Sequence, residues 1–304
     1  MVPEQALSGD DIVAPFSLDN APVRGRAARL GAAALDPILR RHAYPRPVAM
    51  LLGEALTLAA LVGSLLKAKG RLVVQAQGEG PAPLLVAEHQ NGGGLRGYAR
   101  LAEGAAEKLA RENRLPPAEL IGAGSLIMTL DNAESETAYQ GVVELGEGTL
   151  AECAERYFRV SEQTETRIAL AVGEVLSAES APLWRAGGAL MQRVAGDAAR
   201  GETADDWPRA SILFDTISDE ELVDPALPAD RLLYRLFHEE GARMGAPARL
   251  FDHCTCDEER LTAVMRQFPA EELRTLIEPD GFLHARCQFC ARNYQIAPAN
   301  VGAA

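Results

Sequence analysis

The sequence has no excess of positive charge, no stretch that reads as a leader and only five cysteines in 304 residues. Each shortage narrows the field. A formal net charge of −13 leaves no basic footprint for non-specific binding to nucleic acid or to an anionic membrane, both of which need one; neither is expected as a partner. The opening residues MVPEQALSGDDIVAPFSL lack a basic segment followed by an apolar one, so no secretory signal is expected. The most apolar run, residues 48–66, is interrupted by Glu54, and the part after it covers only about half a membrane span. The expected location is therefore the cytoplasm. There thiols are kept reduced, and clustered cysteines bind metal or do redox chemistry more often than they form permanent bridges.

Familiar catalytic signatures are missing as well. The glycine-rich stretches GEGP (78–81) and NGGG (91–94) have no phosphate-loop lysine and serine at the required spacing and no helix opening behind them, so they read as hairpin turns. His42, His89, His238, His253 and His284 are scattered and sit in no hydrolase motif.

What is present suits a soluble α+β protein, 47% hydrophobic and long enough for more than one domain. Val48, Leu51, Leu52, Ala55, Leu58, Ala59, Val62, Leu65 and Leu66 recur at helical spacing, with Pro47 in the first turn and Gly70 as the stop. The runs 71–77, 83–89 and 95–101 predict an antiparallel meander. SLIMTLD and AYQGVVEL predict two more strands; Thr149 and Glu152 form a capping box at a helix start, and ETRIALAVG returns to the sheet. Cys153 shares a helical face with Leu150 and Tyr157 and reads as a core thiol. The first domain is expected to end near residue 180, where SAESAPL breaks the pattern.

Residues 181–240 read as a connector. Trp207, Ala210, Leu213, Phe214 and Ile217 make one apolar face, and Leu232, Leu233, Leu236 and Phe237 another. Ser218 and Glu221 form a capping box between them, and acids surround both. Such a segment is too polar to fold alone and must rest on its neighbours; an ordinary interdomain linker with core-facing helices would fit nearly as well.

The remaining cysteines carry the specific signal. Cys254 and Cys256 form a C-x-C, and thirty residues later Cys287 and Cys290 form a C-x-x-C. Two close pairs of thiolates match tetrahedral zinc, one ion per chain, in a closed and therefore structural site. His253 and His284 are placed outside the ligand set. AEELRTLI between the pairs predicts a helix and EPDGF a hairpin turn. A disulfide across C-x-C closes a cramped, easily reduced ring, which suits a reversible bond. Three readings stay open on these residues: a redox-switched protein, a zinc-stabilised interaction module that never oxidises, and a thiol-disulfide oxidoreductase. The last would need its C-x-x-C at a helix start in a βαβ setting.

Over nearly its whole length the chain resembles the thirty-three-kilodalton heat-shock family of redox-regulated holdase chaperones. The resemblance rests on VRGRAARLG, the helix-to-meander stretch YPRPVAMLLGEALTLAALVGSLLKAKGRLVVQAQGEGP, LRGYAR, AYQGVVEL, YFRVSEQTETRIALAV, LLYRLFHEE and the spacing of the four cysteines. It implies an N-terminal core domain (1–180), a metastable helical linker (181–240) and a C-terminal zinc-binding redox-switch domain (241–304). It further implies Cys254, Cys256, Cys287 and Cys290 as zinc ligands in a reduced, poorly active form, and Cys254–Cys256 and Cys287–Cys290 as the disulfides of an active, zinc-free form. That form tends to homodimerise and holds unfolded client proteins without ATP; no enzymatic activity is implied. Trp207, Leu213, Phe214, Ile217, Leu232, Leu236 and Phe237 become the residues expected to dock the linker or grip clients. Asp257 departs from the small polar residue usual after the C-x-C, and an anion there is expected to disfavour thiolates slightly.

Overall fold

A computed structural model of the chain describes residues 9–66, 70–132, 138–176, 181–194 and 205–303. It divides into two compact units, Met1–Asp252 and His253–Ala304.

The first unit is built on two antiparallel sheets and one buried helix. Sheet one contains β1 (Ile12–Leu18), β2 (Val23–Leu30), β8 (Thr166–Val175), β9 (Leu183–Arg193) and β10 (Ala242–Met244) in the order β10-β1-β2-β9-β8, with β11 (Ala248–Arg249) also against β1. Sheet two contains β3 (Gly70–Gly78), β4 (Leu84–Gln90), β5 (Gly94–Arg100), β6 (Gly124–Asn132), β7 (Tyr139–Glu144) and β12 (Phe251–Asp252) in the order β12-β5-β4-β3-β6-β7. The expected meander is β3, β4 and β5, and the two further strands are β6 and β7, all in this sheet. The segment expected to return to the same sheet, β8, instead joins sheet one.

Helices α1 (Asp36–Arg40), α2 (Arg46–Gly63), α3 (Ala105–Leu109), α4 (Pro117–Ile121) and α5 (Leu150–Ser161) accompany the sheets. Every residue of α2 after Arg46 is buried, and the helix packs against strands of both sheets. A helix that is apolar all round can be stable only where it is covered on every side. It is the one helix among the described residues long and apolar enough to span a membrane, but it is the core of this unit. It stops at Gly63, earlier than the glycine expected to end it. A Cβ on Gly63 would lie 2.4 Å from the His89 ring, and Gly70 opens β3 opposite Asn132. α5 begins with the expected capping box, Glu152 N–H donating to Thr149 Oγ1 (3.2 Å) and Thr149 N–H to Glu152 Oε2 (2.7 Å). Cys153 on this helix is fully buried in the core, which also raises its thiol pKa.

The connector's described helices are α6 (Asp206–Phe214), α7 (Asp219–Val223) and α8 (Ala229–Phe237). They roof the face of sheet one that α2 leaves free: Ala210, Phe214, Leu222, Leu232, Leu236 and Phe237 share a core with Phe16, Leu18, Val23 and Met191. The chain then returns to β10 and β11 beside β1 and to β12 beside β5. Two expected boundaries therefore shift. Residues 177–180 of SAESAPL and 195–204 of the connector lie outside the described residues. Between them, however, Leu183–Arg193 is the strand flanked by β2 and β8, so the sheet continues past residue 180. Residues 242–252 belong to the first unit through strand pairing, and the second begins at His253.

In the second unit α9 (Glu258–Met265) and α10 (Ala270–Thr275) precede a hairpin of β13 (Leu283–Arg286) and β14 (Asn293–Ile296), followed by a 3-10 turn, Pro298–Val301. α10 falls in AEELRTLI. EPDGF makes the expected turn, with Glu278 N–H donating to Phe282 O at 2.9 Å and a bridge between Ile277 and Leu283. The buried core here is small: Leu273, Leu283, Ile296, Val301 and Ala303.

Candidate metal centre

Two loops in the second unit carry the four cysteines. Cys254 and Cys256 lie on the segment that enters α9, and Cys287 to Cys290 form the turn that closes the β13–β14 hairpin. The turn is held by Cys287 N–H donating to Arg292 O and Ala291 N–H donating to Cys287 O, both at 2.9 Å, with Ala291 at φ +56°. This is a knuckle at the end of a hairpin. The C-x-x-C does not open a helix after a strand, which is the setting an oxidoreductase pair needs.

The four Sγ atoms all lie within 4.8 Å of one another. Cys254 and Cys287 are 3.8 Å apart and Cys256 and Cys290 3.2 Å apart, each pair spanning the two loops. Zinc–sulfur bonds of about 2.3 Å in a regular tetrahedron give sulfur–sulfur edges of about 3.8 Å. The donor set and its size thus fit a soft four-coordinate ion. Without a cation the thiols cannot all ionise side by side. Burial pushes the Cys256 thiol up, but hydrogen bonds from the Tyr294 hydroxyl and from the neighbouring thiols outweigh it and bring its pKa down to about 7. Cys290 goes the other way, pushed up to about 12 by burial and by the adjacent thiols.

The histidines stay outside this group: among the described residues the cluster is made of cysteines alone, and His284 Nε2 is 2.8 Å from Asp280 Oδ2. Asp257 also has a place in the local structure. Its side chain is the N-cap of α9, accepting from Arg260 N–H at 2.7 Å, and it pairs with the Arg260 guanidinium at 3.2 Å. The anion is thus engaged by a helix start and a cation, and it organises the helix that follows the C-x-C. Arg260 Nη1 also donates to Thr255 O at 3.0 Å, fixing the backbone between the first two cysteines. Tyr294 on β14 went unrecognised in the sequence: its hydroxyl donates to Cys256 Sγ (3.0 Å) and approaches Cys256 O (3.2 Å). Only the hairpin register, which brings a strand residue back over a loop 38 positions away, makes it part of the centre.

The other residues singled out in the sequence lie in the first unit. Phe214, Leu232, Leu236 and Phe237 are buried against sheet one, while Trp207, Leu213 and Ile217 are half-buried at the margin of the same core. The apolar faces are packed.

Comparison with known proteins agrees with this architecture. The family model described as "Hsp33 protein" matches residues 11–297. The 33 kDa chaperonin of Caulobacter vibrioides is 49% identical over 290 residues, covering 95% of each chain, and that of Serratia proteamaculans is 36% identical over 297 residues, covering 98% of this chain and 96% of its own. The fold matches the crystal structure of the Thermotoga maritima 33 kDa chaperonin with a TM-score of 0.78 at 22% identity, over 96% of this chain and 97% of that one. With a family model spanning nearly all of it and close relatives covered almost end to end, this α+β chain with its four-cysteine centre belongs to the Hsp33 family of chaperones.

Proposed function

We propose that the chain is a redox-regulated, ATP-independent holdase of the cytoplasm: zinc-bound and poorly active when reduced, active when oxidised. The observation that carries this reading is the closed set of four thiols, Cys254, Cys256, Cys287 and Cys290, all within 4.8 Å, in a unit whose described residues include only five buried apolar ones for a core. Bound zinc would hold the two cysteine loops together. Structural zinc contributes roughly 10 to 16 kcal/mol in small finger peptides, against roughly 5 to 15 kcal/mol for a whole domain. A unit of this size cannot lose such a term and remain folded.

Oxidation removes the donors. In each pair two zinc-bound thiolates lose two electrons to one molecule of hydrogen peroxide, which takes two protons from the solvent to become two molecules of water, and one S–S bond forms. The bridges we assign are Cys254–Cys256 and Cys287–Cys290. Once the loops separate, neighbours in sequence meet far more often than partners more than thirty residues apart. The unit then melts, and the connector loses its hold on sheet one. Its faces at Trp207, Leu213, Phe214, Ile217, Leu232, Leu236 and Phe237 become available to unfolded clients, and to a second copy in an oxidised homodimer. The surrounding acids keep the open form soluble. Nothing in this cycle needs a nucleotide, a nucleic acid or a membrane, and no bond in the client is made or broken.

The test joins metal content to activity on one sample. Reduced protein should hold one zinc per chain and suppress aggregation of a heat-denatured client poorly; peroxide-treated protein should be zinc-free and suppress it well. Cys287→Ser should lose most of the zinc without oxidant. Stoichiometric zinc in that variant, or equal suppression before and after peroxide, would overturn the proposal.

A further inference from the structure

The four thiols are not equivalent, because one of them has a phenol directed at it. We infer that Tyr294 is a positioning residue for the redox step: its O–H, hydrogen-bonded to Cys256 Sγ, holds this sulfur in place and slows its reaction with peroxide.

The geometry begins with the hairpin. Tyr294 lies on β14 opposite Ala285 of β13, and its ring packs against the small core of the second unit, so the position of the hydroxyl is set by strand pairing and packing. Oη is 3.0 Å from Cys256 Sγ and 3.2 Å from Cys256 O. The hydroxyl has a single proton to give, and both acceptors within its reach belong to Cys256. Across the site Cys254 Sγ faces Cys287 Sγ at 3.8 Å and Cys256 Sγ faces Cys290 Sγ at 3.2 Å.

The chemical consequence follows from how a thiolate reacts. Its sulfur lone pair attacks a peroxide oxygen, the O–O bond breaks, and sulfenic acid and hydroxide form. The thiolate of Cys254 would then displace hydroxide from that sulfur to close the bridge. A hydrogen bond to the sulfur withdraws electron density from the attacking lone pair and must weaken as the S–O bond forms. It stabilises the ground state more than the transition state and slows attack. This effect is separate from ring strain in the C-x-C bridge. Outer-shell partners of this kind also orient the ligand, and their loss lowers metal affinity roughly 10- to 100-fold in other sites.

The inference rests on the four-cysteine metal reading above, and the experiment separates the two. Full-length Tyr294→Phe keeps the ring and removes only the hydroxyl. Parent and variant are loaded with zinc, treated with peroxide in timed pulses, alkylated, and analysed by mass spectrometry of the peptides carrying each cysteine pair. We expect the parent to oxidise Cys287 and Cys290 first. In Tyr294→Phe, oxidation of Cys256 should speed up roughly three- to tenfold, in keeping with the net worth of an ordinary hydrogen bond, with the Cys287–Cys290 rate unchanged. In cobalt-loaded samples the sulfur-to-metal charge-transfer band should move to longer wavelength in the variant, a shift that altered packing alone would not impose. If Tyr294→Phe fails to hold zinc or cobalt, cadmium, a softer ion for thiolates, is loaded into parent and variant and read by its own sulfur-to-metal band and the same pulses, and both should move in the same direction. Equal Cys256 rates and an unmoved band in metal-loaded protein overturn this inference and leave the metal centre standing; a parent that binds no metal overturns the metal reading itself.

Discussion

His89 shows how one side chain ties stability to pH in this protein. It lies on β4, buried at 7% exposure, and burial alone pushes its pKa down to about 4. In the unfolded chain an imidazole titrates near 6.5. Below that value the unfolded state takes up a proton that the folded state refuses, so the stabilising contribution of neutral His89 is complete above pH 6.5 and is lost as pH falls through the window toward 4. The difference in unfolding free energy between the parent and His89→Gln, read from urea titrations, should therefore shift against the parent across this window, by on the order of 3 kcal/mol at its acid end. Glu54, on the core helix, moves in the other sense. Burial raises its pKa to about 7 against the pull of Arg114, so its burial costs stability as pH rises from about 4.5 through 7. Since both proteins carry Glu54, this cancels in the comparison. A difference that stays flat between pH 4 and 6.5 would show that His89 titrates as it does in water.

At the scale of elements, the decisive contact is the seat of α7 on sheet one. A Cβ on Gly187 of β9 would fall 2.0 Å from the Leu222 carbonyl oxygen, so the short helix rests on bare backbone and only glycine permits the approach. The loop after α7 is pinned from β2, where Arg29 donates to Leu227 O at 2.5 Å and to Asp224 O. At the helix start Arg114 bridges Asp219 (2.5 Å) and Glu54 (2.9 Å). Gly187→Ala should displace α7, opening residues 205–240 to protease in reduced protein while the sheets stay protected. Phe214, 3% exposed in the core beneath α6, tests the neighbouring helix: Phe214→Ser should cost roughly 3 to 5 kcal/mol of packing, in line with large truncations of buried aromatics. If docking is its main task, the variant suppresses client aggregation without oxidant. If client contact is, it opens normally on oxidation and suppresses less. Reduced and oxidised activities both equal to the parent's would show that this face serves neither purpose.

For the whole molecule, the contrast that matters is between a first unit built on two sheets and a large core and a second unit with five buried apolar residues among those described. Peroxide should raise hydrophobic-dye binding and proteolysis in residues 205–240 and 253–303 while protection persists in the strands through Arg193. Hydrogen exchange read by peptide would show the boundary, and loss of protection in Leu183–Arg193 at the same rate as the connector would mean that sheet one unfolds with it. The sequence alone determined whatever depends on near neighbours or on residue chemistry: the apolar core helix, the meander, both capping boxes, the amphipathic connector faces and the four soft ligands. The tertiary structure alone decided what depends on distant pairing. LWRAGGALMQR has no strand-like alternation because small residues are needed where helices press on both faces, and its place in the sheet comes from β2, with Val23 opposite Arg193. In the same way β8 joined sheet one and residues 242–252 closed the first unit through pairing with distant strands, and Tyr294 reached Cys256 because folding of the second unit sets its local hairpin against a loop 38 positions earlier. Local periodicity carries no record of which strand a segment will meet, since that choice is made by the burial of whole faces at once.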